Sequence, residues 1–305
     1  MAPTRGILMI LVAMALFTLM SSFVKAASVR VPTGEVVFFR AGLSIPIIAA
    51  WLWMRGDLAA GLRTANWHRH AVRGLAGTMA MGMGFAGLAH LPLAEVTAIR
   101  FVTPVMLVIF AALILGERVR LVRITAVAMG LVGVGIIVWP QLGQEGLGPT
   151  ATLGVALTLG SATLAALAQT FIKAMSGSER VEAIVFYFSC TAATLSLLTL
   201  PFGWVWPTPY EWALLLGAGS IGVVGQLLMT ASYRHADAGA LAPFTYTSML
   251  WAIGLGYVWF GDVPGLYTLA GAALVIAAGI VIVWRERQLA RGGTARRKLR
   301  AKGMM

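Results

Sequence analysis

Charge is what this sequence has least of: 11% of its 305 residues are charged and 59% are hydrophobic, where an ordinary soluble domain is roughly a quarter charged. So few polar side chains cannot cover that much apolar surface, which excludes a water-soluble fold and makes lipid the solvent. Cysteine is nearly missing as well. The single Cys190, inside an apolar segment, leaves neither a disulfide framework nor a cysteine metal site. Histidine is confined to His68, His70, His90 and His235, all at the ends of apolar runs, and no nucleophile or metal cluster appears. An enzyme would have no residues to work with, and no cofactor or metal is expected.

What is present is apolar sequence in runs of bilayer-spanning length. Ten spans are predicted, at about 6–26, 34–54, 73–90, 93–115, 121–140, 151–173, 183–203, 211–233, 239–260 and 265–284. The first is long for the apolar part of a signal peptide and is read as retained. With Arg5 placed in the cytoplasm, only two of the 23 lysines and arginines, Lys25 and Arg30, fall outside, and two more, Arg40 and Arg100, fall within spans. The remaining 19 are cytoplasmic, so the positive-inside bias predicts a multi-pass inner-membrane protein with both termini in the cytoplasm. The formal charge of +12 therefore reflects topology rather than nucleic-acid binding, since no basic patch with interleaved aromatics exists. The basic stretch 286–305 is expected to be a cytoplasmic tail without chemistry of its own.

The chain repeats itself. A shift of about 148 residues sets Phe23-Val24-Lys25-Ala26 on Phe171-Ile172-Lys173-Ala174. A shift of about 145 sets Gly74, Gly77, Ala86, His90 and Gly116 on Gly219, Gly222, Ala231, His235 and Gly261, with Glu117 on Asp262. Each repeat holds five spans, an odd number, so the second must enter the membrane upside down. The expected fold is therefore all-α, with ten transmembrane helices as two inverted five-helix repeats over residues 1–142 and 149–285. Inverted repeats of this kind are characteristic of alternating-access carriers, with the substrate site near the midplane between the halves. Two GxGxxG matches, Gly82-Gly84-Gly87 and Gly217-Gly219-Gly222, lie inside apolar runs and are read as close helix packing rather than dinucleotide loops.

The run GLAHLPLAEVTAI followed by Pro104 and LILGE, and the second-half run ALAPFTYTSMLWAIGLGYVWFGDVP, resemble the paired EamA domains of the drug/metabolite transporter superfamily. The resemblance covers about residues 6–285. It implies two inverted five-helix halves around a central cavity, with the ends of the fourth and ninth spans helping to close it. Asp262 stands where the family pattern more often has glutamate, and Arg100 where it has an apolar residue.

Arg100 and Arg40 are the first candidate substrate-binding residues, because an arginine inside an apolar span needs a partner, a polar cavity or a ligand. Arg40 lies about 9 Å and Arg100 about 10 Å into their spans at 1.5 Å per residue. Residue counting thus puts both at one level, where they could grip a carboxylate or phosphate. Pairing with Glu35 or Glu95 is the alternative. Phe101, Tyr246 and Trp251 are candidate aromatic contacts, and Gln169 and Gln226 candidate hydrogen-bonding ones. Pro104 and Pro243, each inside a span, are candidate gating hinges. No carboxylate is central in a span, so no proton relay is evident and gradient-driven diffusion or exchange is favoured, with Glu35 and Glu95 the only titrating candidates. The expected function is a secondary transporter of a small organic metabolite, anionic or aromatic, by alternating access. A membrane-embedded ligand-binding or sensory component is the alternative. Between amino-acid or drug export and vitamin or metabolite uptake the sequence does not choose, nor does it give the oligomeric state.

Overall fold

The computed structural model describes residues 3–115, 149–235 and 247–274, with further positions at 128–129, 132–133, 135–136, 139, 241, 244–245, 276–277 and 280. Among the described residues all regular structure is helical. Most of the predicted fifth span, part of the tenth and the whole tail 286–305 lie outside them.

The first half runs α1 (Pro3–Ala27), α2 (Thr33–Gly42), α3 (Ser44–Met54), the short α4 (Leu58–Gly61), α5 (Trp67–His90), α6 (Leu93–Ile99) and α7 (Val102–Leu115). The second runs α8 (Pro149–Met175), α9 (Val181–Leu197), α10 (Pro209–His235) and α11 (Thr247–Phe260). Helices are required here because lipid offers no partner for an unpaired backbone group. Among the described residues five segments are long and apolar enough to cross a bilayer, including Thr33–Met54 and Leu93–Ile114, which each contain a break.

Both breaks have a proline as their cause. Pro46 has no N–H to give the carbonyl four residues back, and the span divides at Leu43 into α2 and α3. Pro104 likewise leaves the Arg100 carbonyl without its helical partner, and that carbonyl accepts the Thr103 N–H at 2.9 Å instead. The fourth span therefore divides at Arg100 into α6 and α7.

The packing follows the internal repeat. The most extensive contacts are α5 against α8 and α1 against α10. These are equivalent pairs, since the repeat carries α1 onto α8 and α5 onto α10. The lesser contacts pair up in the same way: α7 on α8 with α11 on α1, and α9 on α5 with α2 on α10. Glycines let these helices approach. A Cβ on Gly87 would meet the Thr158 side chain, and one on Gly217 would stand 2.7 Å from the Phe23 ring. Both GxGxxG matches lie within helices α5 and α10, and among the described residues no strand precedes either.

Two ends of the bundle are pinned by ion pairs. At one end α11 terminates at Gly261, whose φ of +68° suits glycine, and the turn brings the Asp262 N–H onto the Gly256 carbonyl at 3.0 Å. That turn aims the Asp262 carboxylate back at Lys25 of α1, 2.6 Å away. Nearby, Arg30 bridges to Glu211 at 2.5 Å and donates to the Trp206 carbonyl, while Glu35 accepts the Val205 N–H at 3.0 Å. At the opposite end Arg180 meets Asp57 at 2.5 Å. Glu179 is buried there, its Oε1 accepting bonds from Thr64 Oγ1, the Ala65 N–H and Asn66 Nδ2. The Arg180 guanidinium holds the Asp57 carboxyl below the usual carboxylate range. Burial pushes Glu179 up, but the hydrogen bonds from Asn66, Thr64 and Ala65 outweigh it and leave it below the usual range.

Candidate functional site

Between the pinned ends lies a cavity of about 280 Å³, walled by residues of α1, α2, α5, α6 to α10 and the start of α11. Three arginines face it: Arg40 from α2, Arg73 from α5 and Arg100 from the α6/α7 break. No aspartate or glutamate is among the described residues that line it. None of the three forms an ion pair with a described carboxylate. Arg40 and Arg73 are almost completely buried, at 4% and 3% exposure. Arg40 Nε and the Nε and Nη1 atoms of Arg73 have no hydrogen-bond partner among the described residues. An uncompensated buried cation is costly, which is why such residues in a membrane mark sites for charge that arrives from elsewhere.

Arg40 and Arg73 share a ring. The Arg73 guanidinium stands 4.0 Å and that of Arg40 5.6 Å from the centroid of Phe188 on α9. The negative face of the ring offsets part of their desolvation without consuming their donors. Glycines give the guanidiniums room. Arg73 Nη1 occupies the space beside Gly77 where a side chain would begin. Arg40 Nε stands 3.2 Å from the corresponding point at Gly222 of α10. Arg100 reaches across to α5, where its Nη2 lies 2.5 Å from where a Gly84 Cβ would stand, beside Ser161 Oγ of α8. Ser161 itself is engaged, donating to the Ala80 carbonyl at 2.6 Å.

Neutral polar groups complete the wall. Gln169 of α8 accepts the Tyr233 hydroxyl at 3.1 Å. Gln226 of α10 is buried, with its Nε2 unpartnered among the described residues. Thr18 and Ser21 of α1 line the cavity, as does Thr97 of α6, although Thr18 and Thr97 donate to carbonyls of their own helices.

Of the residues singled out in the sequence, Arg100, Arg40, Phe101, Gln169, Gln226 and Pro104 all line this cavity. Tyr246 and Pro243 lie outside the described residues. Trp251 is 50% exposed on α11 and does not line the cavity. α11 contributes Ser248 to the wall, and Thr245 just before it contributes too. Glu35 is occupied by the Val205 backbone rather than by an arginine. Residue counting places Arg40 and Arg100 at one level, yet their guanidiniums stand at different places along α5. Their tips diverge because a long side chain carries the guanidinium well away from its Cα: Arg40 joins Arg73 at Phe188, and Arg100 sits two helical turns along α5. Arg73 is the residue that sequence reading misses, because the positive-inside bias places it among the cytoplasmic charges. α5 begins at Trp67 rather than at 73, which places Arg73 nearly two turns inside the helix. Glycine four residues after arginine on one helix face, Arg73 and Gly77, is the signal that could have found it.

Comparison with known proteins matches this architecture along almost the whole chain. The chain is 30% identical over 281 residues to the pseudopaline exporter CntI of Pseudomonas aeruginosa, covering 91% of this chain and 95% of that protein. It is 30% identical over 256 residues to a riboflavin transporter of Rhizobium johnstonii, covering 84% and 82%. An S-adenosylmethionine uptake transporter of Rickettsia bellii is 27% identical over 264 residues, covering 87% and 88%. A solved crystal structure superposes with a TM-score of 0.70 over 94% of this chain and 99% of the other at 20% identity, a likeness of fold alone. Residues 4–139 and 152–284 both match the EamA-like transporter family. The chain belongs to that family: it is a multi-pass membrane transporter of the drug/metabolite type, built of two repeats, and not an enzyme.

Proposed function

We propose that this protein is a secondary transporter that carries a small organic anion across the inner membrane by alternating access, with both termini in the cytoplasm and the repeats spanning 1–142 and 149–285. The observation that carries the reading is the cavity's charge: three guanidiniums, with no carboxylate among its described lining residues. A cationic cargo would be repelled, and an uncharged one would leave buried arginines uncompensated. An anion supplies the missing charge and the missing hydrogen-bond acceptors together. Gln169, Gln226 and Phe101 then contact the uncharged part of the cargo.

The Lys25–Asp262 pair is the outer gate in this reading, joining α1 to the end of α11. Opening toward the periplasm requires that it part. Pro104 lets the fourth span bend at Arg100, so that the residue that senses cargo is also the residue at the hinge; Pro243 of the ninth span is the second hinge candidate. Cysteine-accessibility labelling tests the hinges: an unchanged ratio of inner to outer labelling in Pro104→Ala and Pro243→Ala removes their role.

Counterflow in proteoliposomes tests the function. Vesicles loaded with an organic anion should accumulate the same labelled anion. Arg40→Gln and Arg73→Gln should each reduce uptake about 10–100-fold, the value of a charge-assisted bond of about 1.5–3 kcal/mol. Saturable binding with no flux would instead support a sensory component that completes no cycle.

A further inference from the structure

The two glycine notches on α5 measure the cavity. Gly77 and Gly84 are seven residues apart, so they face nearly the same side of the helix and stand about 10 Å apart along its axis. The tip of Arg73 fills the first notch and that of Arg100 the second. Arg40 belongs to the first, since it shares the Phe188 ring with Arg73, and that ring lies 2.9 Å from where a Gly77 Cβ would stand. The cavity therefore has two poles, one with two guanidiniums and one with a single guanidinium. Between the poles α5 lines it with Ala80 and Met81, an apolar stretch.

One carboxylate or phosphate is too small to reach both poles. It would meet the guanidinium charge at one pole and leave the other without a counter-charge among the described residues, a cost that a second anionic group removes. Resting on the anion-transporter reading above, we propose that the cargo is a di- or trianion whose anionic groups are held about 10 Å apart by an uncharged, largely apolar linker. One end meets Arg40 and Arg73 at Phe188, and the other meets Arg100. Arg100 is then the residue that counts charges: it distinguishes a two-ended anion from a one-ended one.

Graded dicarboxylates, succinate through dodecanedioate, titrated into purified full-length protein beside monocarboxylates of the same lengths, test this directly. Affinity should peak at intermediate lengths near suberate and exceed that of octanoate at least about ten-fold, the contribution of one charge-assisted contact. Arg100→Gln should erase that ratio while octanoate affinity is kept, and Arg73→Gln should weaken both ligands. Arg100→Lys should restore part of the preference, which a merely structural arginine would not do. The folded state of each variant is checked by its unliganded melting temperature. Equal affinity for dicarboxylates and monocarboxylates at every length overturns the two-pole inference and leaves the anion transporter standing. Saturable binding of uncharged or cationic aromatics, with no response to any carboxylate, phosphate or sulfonate, overturns the anion reading itself.

Discussion

The same side chain behaves in two ways in this molecule. At the ends of the bundle, Arg30 and Arg180 lie against Glu211 and Asp57, each at 2.5 Å. In the middle, Arg40, Arg73 and Arg100 surround a cavity with no described carboxylate beside them. The end arginines are partly exposed, with 46% and 41% of their side chains accessible, so water already solvates them and pairing adds little. Those in the middle are where pairing would contribute most, and no described carboxylate supplies it. Stability alone predicts the reverse arrangement. Binding predicts this one, because a counter-charge built into the wall would compete with the cargo.

Exchange of a cavity arginine tests that contrast with the largest expected effect. Arg73→Met should abolish about 90–99% of transport and still raise the melting temperature of the unliganded protein. Replacing an uncompensated buried charge by an apolar side chain of similar length often stabilises by about 1–4 kcal/mol. Scanning calorimetry or dye-monitored melting in detergent checks the sign; a lower melting temperature would mean that Arg73 holds the fold together and would erase the contrast. Next in size is Glu179→Gln. It weakens three hydrogen bonds to one buried oxygen and should cost about 1–3 kcal/mol, read as a lower melting temperature with little change in cargo affinity.

The pH dependence of the same group sharpens the point. Glu179 is held below its ordinary value of 4.5 in the folded protein, so its contribution is fully present above about pH 4.5 and is lost as pH falls through the depressed value. Wild-type stability should therefore fall below about pH 4.5 more steeply than that of Glu179→Gln. Lys25→Met should change transport only a few-fold and the melting temperature by less than about 1 kcal/mol equivalent, while shifting accessibility toward the periplasmic side. The smallest effect is expected from Asp57→Asn. It removes a pair at the bundle's edge and should leave both flux and melting near wild type, measured side by side with Arg73→Met.

Much of this was legible in the sequence, for physical reasons that also explain what was not. Bilayer thickness fixes span length, so the helices could be read from hydropathy, and the repeat from matching residues at shifts of about 145–148. The repeat then makes the α1 on α10 and α5 on α8 pairings intelligible. Arg40 and Arg100 stood out because charge inside an apolar run is rare. Arg73 did not stand out, since an arginine near the end of an apolar run is ordinarily interfacial, and only tertiary packing against Phe188 shows that α5 carries it inward. Phe188 and Tyr233 were invisible for a related reason: aromatics in membrane helices are common, and nothing local separates a cavity ring from a lipid-facing one. Trp251 is an example, half exposed on α11 and off the described cavity wall. Pro46 was overlooked although it divides its span much as Pro104 does.

A cavity whose described charge is entirely positive also sets an electrical direction. An anion leaving a cell with a negative interior gains about 2.3 kcal/mol per charge for each 100 mV, and a dianion gains twice that. No carboxylate among the described cavity residues is there to carry a proton alongside and offset that gain. At equal concentrations on the two sides, uncoupled flux of the dianion proposed above would run outward, and its uptake would need a steep inward gradient of the cargo itself or a second, oppositely directed solute.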